Sequence, residues 1–237
     1  MQDLTTGSIT RHLVKTMSFM LGGMVFQTLY VLVDLYWVGR LGTEAVAAVG
    51  LSTNLMFIVL AVTQMLGVGT TTLVSHAAGR KDRAQALLVF NQSQVLCFVI
   101  GVLFFVLAML VRPAYAQNLA ADAGTRQLAS DYLGWFIPAM AFQYLLIPMG
   151  SALRGTGQFK PSMVIQTSTV ILNIILAPIL IFGWGTGRPL GVAGAALATF
   201  IAIVVGTVAM TFYFRPATSY LMFLPADWKP SLPLWGR

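Results

Sequence analysis

Charged side chains are scarce in this sequence. Asp, Glu, Lys and Arg together account for 9% of its 237 residues, where an ordinary soluble domain carries about 25%. Beside 57% hydrophobic residues and a mean hydropathy of +0.81, that shortage excludes a water-soluble globular domain and leaves an integral membrane protein. Cysteine is down to one residue, Cys97, so no internal disulfide can form. The two histidines, His12 and His76, have no cysteine or acidic pair beside them and so suggest no metal site; both read as helix-end or interfacial residues. His-Glu-x-x-His, Gly-x-Ser-x-Gly and paired-acid motifs are missing, so the sequence does not read as an enzyme. Gly155-x-Gly157 ahead of Lys160 lacks the spacing and the preceding strand of a phosphate-binding loop, and reads as a turn.

Long uncharged runs are what the sequence has instead. Cut at its charged residues, the chain gives 16–33 (continued past Asp34 to 39), 45–79, 84–111, 132–153, 161–187 and 189–214. About 20 apolar residues rising about 1.5 Å each cross a hydrocarbon core about 30 Å thick, and a helix satisfies its own backbone there. Short alternating strands of the membrane-barrel kind are missing. The expected architecture is all-α and polytopic, with six transmembrane helices within residues 1–215, near 12–38, 47–76, 86–110, 131–153, 162–183 and 191–214. Residues 216–237, rich in proline and aromatics, read as an interfacial or linker tail. The first run lacks a short apolar core followed by a small-residue cleavage pattern, so that helix is expected to stay.

A net charge of +7 suggests nucleic acid in a soluble protein, but here the cations alternate by loop. With the N-terminus in the cytoplasm, Arg11, Lys15, Arg80, Lys81, Arg83, Arg154, Lys160, Arg215, Lys229 and Arg237 lie inside; Arg40, Arg112, Arg126 and Arg188 lie outside. Ten against four fits the positive-inside rule and places both termini in the cytoplasm of a cell whose inner (plasma) membrane the chain spans. No nucleic-acid partner is expected.

Within the spans, Asp34 is the one acidic residue set in apolar sequence; the other six acids fall at segment ends or in loops. An ionisable group there costs at least a few kcal/mol, and such residues face a cavity with a partner or a proton to carry. Gly23, Gln27, Tyr30 and Asp34 recur at intervals of 4, 3 and 4, one stripe of a helix turned from lipid. On the plainer reading, Gln27 and Tyr30 only hydrogen-bond between helices, at about 0.6 kcal/mol each. Gln166, Thr169 and Asn173 make a second stripe, ahead of Pro178, and form the natural partner for Asp34. An Asn amide donates to a carboxylate and accepts from a carboxylic acid, so it suits either state. Tyr132 and Gln143 add polar groups to the fourth run, and Thr199 to the sixth.

Other features bear on shape. The second run covers 35 residues, with Gly67 and Gly69 ahead of three threonines, which predicts a break or an extension. Pro138 and Pro148 predict a kinked or unwound fourth helix. Residues 112–131 read as a polar outer loop, with or without a short surface helix, and Asn91-Gln-Ser93 as a glycosylation pattern too deep in the membrane to be used.

Four passages carry a family resemblance: VDLYWVGRLGTEAVAAVGL, GVGTTTLVSHAAGRKDRA, SALRGTGQFKPSM, and NIILAPILIFG followed by GVAGAALAT. In that order and at those spacings the chain resembles the multidrug and toxic compound extrusion (MATE) transporters, and resembles their first six-helix lobe. The resemblance implies twelve helices in two lobes around a central cavity, exporting organic cations or amphipathic drugs in exchange for protons or sodium, with no other cofactor. It puts the coupling carboxylate on Asp34 and the fifth-helix asparagine on Asn173, with Gln27, Tyr30, Tyr132 and Thr199 lining the same lobe. Where many members have a second acid, this sequence has Ala177, so the implied site holds one titrating group. Membrane lipid and a second six-helix lobe, a C-terminal half or a second copy, are the implied partners. A half-lobe with no transport of its own and a related lipid flippase are the alternatives; a flippase cavity is expected to carry several cations for an anionic headgroup, and beyond Lys15 near the start of the first span none falls in these spans.

Overall fold

A computed structural model describes residues 9–120, 122–184, 187–215 and 220–229; in the first helix, side chains are described at 14, 17, 18, 21, 25, 28, 29 and from 31 onward. Among these residues the chain forms six long helices: α1 (Ile9–Gly39), α2 (Thr43–Gly79), α3 (Arg83–Leu119), α4 (Ala123–Gly155), α5 (Phe159–Phe182) and α6 (Val192–Tyr213). A short 3-10 turn, Pro225–Trp228, follows. Helices α2 to α6 are each long and apolar enough to cross a bilayer.

Short polar signals separate the helices. Asp82 Oδ1 accepts from the Gln85 amide at 3.0 Å and starts α3; Asp122 Oδ1 accepts from the Thr125 amide at 2.7 Å and starts α4. The bond from the Thr125 amide, helped by one from its hydroxyl, holds the exposed Asp122 carboxyl below its usual range. Gly183, at φ 72°, ends α5 in the left-handed conformation. The last carbonyls of α5, Leu180 and Ile181, then accept from Leu190 and Gly191 at 3.1 Å, which returns the chain to α6.

α4 is the middle of the bundle: it packs on α2, α3 and α6, while α5 covers α6 and α1 rests on α5 and α2. Its Leu133, Ile137, Tyr144 and Leu153 are buried, with Phe90 of α3 and Met210 of α6 in the same core. In lipid, helices associate by close packing, so small residues mark the contacts. A methyl group on Gly194 would lie 2.6 Å from the Leu180 carbonyl, so α6 sits directly on the backbone of α5. The outward sides, such as Phe57 and Val68 of α2 and Phe98 and Leu110 of α3, stay apolar and exposed.

One expectation changes, and two that offered alternatives are narrowed. The outer loop expected over 112–131 is only Ala120 to Asp122, because α3 continues through Arg112 and Pro113. Its polar groups find partners on neighbours: Tyr115 donates to Leu51 O at 2.7 Å and Arg112 to Ser130 at 3.2 Å. Of the break or extension expected in α2, the extension holds: the helix runs unbroken to Gly79, and Gly67 makes room for Ser151 of α4. α4 remains helical through Pro138 and Pro148, so neither proline unwinds it.

The described part of the tail is packed on α3. Asn91 Oδ1 accepts from the Leu224 amide and the Trp228 indole, both at 3.0 Å, and Nδ2 donates to Leu87 O and Met222 O. Gln92 Nε2 donates to the carbonyls of Asp227 and Lys229. Phe90 stacks on Phe214 and packs at a tilt against Phe223, and Leu221 is fully buried. Asn91, which sequence reasoning set aside as an unusable glycosylation pattern, is a buried clamp.

Candidate functional site

Asp34 lies five residues before the end of α1, at a depth fixed by aromatics one turn on. Trp37 packs edge-on against Phe182, the last residue of α5, and Trp184 just beyond it, each at 5.9 Å, and Arg40 lies over the Tyr36 and Trp37 rings. Val38 is fully buried. Held there, Asp34 is half-buried, and its Oδ1 is shut from solvent with no hydrogen-bond partner among the described residues. Trp37 Nε1, three residues away, is also buried without one. An unmatched carboxylate oxygen in an apolar helix is costly, and it is the feature expected of a group that exchanges a proton or a cation.

Asn173 is 3% exposed and donates from Nδ2 to Thr199 Oγ1 at 3.0 Å. Thr199 in turn reaches Ala195 O at 3.2 Å. Sequence spacing paired Asn173 with Asp34; the hydrogen bond goes to α6 instead. The reason is packing, because Gly206 lets Thr169 of α5 press against α6, and Gln166 approaches Gly150 of α4. The second stripe therefore faces α4 and α6. Ala177, at the place of a second acid, is 1% exposed.

Tyr132 of α4 is buried and stacked on Phe136 at 5.2 Å. The side chains of Gln27 and Tyr30, like His12, lie outside the described residues. His76 is exposed at the end of α2. Among the described residues no cluster of His, Cys, Asp or Glu has the grouping of a metal site. Sequence reasoning overlooked Trp37: its only signal was its position one turn beyond Asp34.

A family model described as MatE matches residues 20–179. The multidrug export protein MepA of Staphylococcus haemolyticus is 29% identical over 213 residues, covering 90% of this chain and 46% of the relative. A FAD transporter of Shewanella oneidensis is 29% identical over 175 residues, covering 73% of this chain and 38% of the relative. Among solved structures, an outward-facing multidrug resistance MATE family transporter superposes with a TM-score of 0.87 at 29% identity, covering 97% of this chain and 50% of that one. The chain thus spans about half the length of the proteins it matches.

Proposed function

The chain belongs to the MatE family, whose members are multi-pass membrane transporters rather than enzymes, and from that premise we propose that it supplies the N-terminal six-helix lobe of a cation-coupled drug exporter. The observation that carries this reading is Asp34 Oδ1, enclosed between helices without a partner among the described residues. When ionised, such a carboxylate favours an organic cation or Na+; when a proton neutralises it, that attraction is lost. Competition of this kind is antiport: a proton or sodium ion arriving from outside displaces the exported compound. Asn173 and Thr199, joined across α5 and α6, line the same lobe with Tyr132, Gln27 and Tyr30. Ala177 leaves Asp34 as the single titrating group.

Alternating access requires a second lobe rocking about the shared site, from a longer chain or a second copy, and the half-length match to relatives supports that need. The charge distribution of the loops supports an inner-membrane position with both termini in the cytoplasm.

The test uses the assembled transporter in inverted vesicles, with uptake of ethidium driven by an imposed pH or Na+ gradient. Asp34→Asn is expected to bring uptake to background under both gradients, and the gradient that drives the wild type identifies the ion. Unchanged driven uptake in Asp34→Asn overturns the assignment. A size measurement in detergent with and without a partner lobe checks the second requirement.

A further inference from the structure

Two unmatched groups of opposite kind lie one turn apart at the outer end of α1. Asp34 Oδ1 is an acceptor and Trp37 Nε1 a donor; both are shut from solvent, and neither has a hydrogen-bond partner among the described residues. Residues three apart share a helix face, with Cβ atoms about 5–6 Å from each other. A helical side chain also leans over the turn that precedes it. The indole of Trp37 therefore leans toward the carboxylate of Asp34.

The plainer reading of a tryptophan at this depth is an interfacial anchor, with its ring in the apolar layer and its N–H meeting water or headgroups. Tyr36 and Trp184, each 55% exposed, suit that role. Trp37 does not, because its N–H is enclosed. Its ring is held edge-on to Tyr36, Phe182 and Trp184, and Phe182 stacks on Trp184 across the left-handed Gly183. The Arg40 guanidinium lies 5.7 Å from the ring centroid. An enclosed N–H without an acceptor is costly, as is an enclosed carboxylate oxygen without a donor. Other titrating groups stand away from this face. Among the elements packed on α1, α5 has Lys160 and α6 has Tyr213, both at their far ends, and α2 has His76 at its far end. Glu44 at the start of α2 is turned to Gly124 of α4, and Arg188 lies in the loop beyond Trp184.

We propose that Trp37 is a positioning residue for Asp34: its indole N–H donates to the ionised carboxylate and is released when a proton or a cation takes that oxygen. The exchange needs rotation of two neighbouring side chains and no added ligand. Between ions the bond holds the carboxylate in one place, and it competes with the incoming ion. The proposal rests on Asp34 as the coupling group and adds the residue that sets how tightly that group holds its ion.

The test uses the full chain in nanodiscs, labelled with nitrogen-15 in its indoles. Each of the five tryptophans gives one N–H signal, and Trp37→Phe identifies that of Trp37. As the pH is raised, this signal is expected to move downfield in the wild type and to stay in place in Asp34→Asn. In the assembled transporter, benzothienylalanine in place of Trp37 keeps the ring and removes the N–H. It is expected to lower about tenfold the concentration of coupling ion that gives half-maximal ethidium uptake. A Trp37 signal that stays still across the pH range, or moves alike in Asp34→Asn, overturns the proposal. Unchanged ion dependence with the analogue, in a transporter that Asp34→Asn silences, overturns it as well. A signal that follows Asp34 while Asp34→Asn keeps its driven uptake leaves the hydrogen bond standing and removes the coupling role of Asp34.

Discussion

Two polar side chains within the membrane helices, half-buried Asp34 in α1 and buried Asn91 in α3, solve the same problem in opposite ways. Asn91 is fully buried and has both ends of its amide engaged, with two acceptor contacts and two donor contacts. Asp34 leaves Oδ1 enclosed and unmatched. A satisfied amide stiffens what it holds, whereas an unsatisfied acid stores a free-energy cost that a proton or a cation can relieve. Polarity within a membrane helix is thus no guide to role; the count of partners is.

That contrast can be broken most directly at Asp34. Asp34→Asn should cut ion-driven transport at least about 100-fold, or about 2.7 kcal/mol, while changing unfolding stability by no more than about 0.5 kcal/mol. Vesicle uptake and detergent thermal melts report the two quantities, and a stability loss as large as the transport loss would make Asp34 structural. The inverse behaviour belongs to Asn91. Asn91→Ala strands the Leu224 amide and the Trp228 indole, at a cost of about 2 kcal/mol. Faster amide exchange over residues 220–229, with transport per folded molecule kept within about threefold, is the expected pattern.

An intermediate case sharpens the scale. Thr199→Val removes the acceptor for Asn173, worth about 0.6 kcal/mol in a membrane bundle. Stability should barely move, while the apparent affinity for the coupling ion shifts by about threefold if the α5–α6 pair lines the site. The smallest effect lies outside the membrane, at Asp122. Its carboxyl titrates below the usual range in the folded chain, so its support for the start of α4 is present above that range and fades as pH falls through the lowered value. Asp122→Asn should flatten the pH dependence of amide exchange in the first turn of α4 below about pH 4.

The number of helices was legible because charges are so few that each one punctuates the chain. The same rule misplaced the end of α3. Arg112 looks like a boundary in one dimension, but in the bundle it reaches Ser130, and the helix continues. Asp34 was legible from its cost alone. Its relation to Asn173 was not, since helical spacing names the face a residue occupies and leaves open which neighbour covers that face. Gly206 and Gly194 decide the matter by drawing α6 onto α5. Asn91 was least legible, because its distant partners are one carbonyl, one amide and one indole more than 130 positions away, and backbone groups leave no trace in composition.

α4 carries a further consequence. It is the least apolar of the five helices α2 to α6, yet 67% of its most apolar stretch is buried, against 17% for α3 and 22% for α5. A segment with two prolines, Gln143 and Tyr132 gains little from lipid by itself. During synthesis it must enter the membrane alongside α2 and α3, which emerge before it and supply its walls, and it waits for α6 to be covered. Damage to those earlier helices should therefore appear first as a failure of α4 to stay inserted, before any change in what the finished lobe binds.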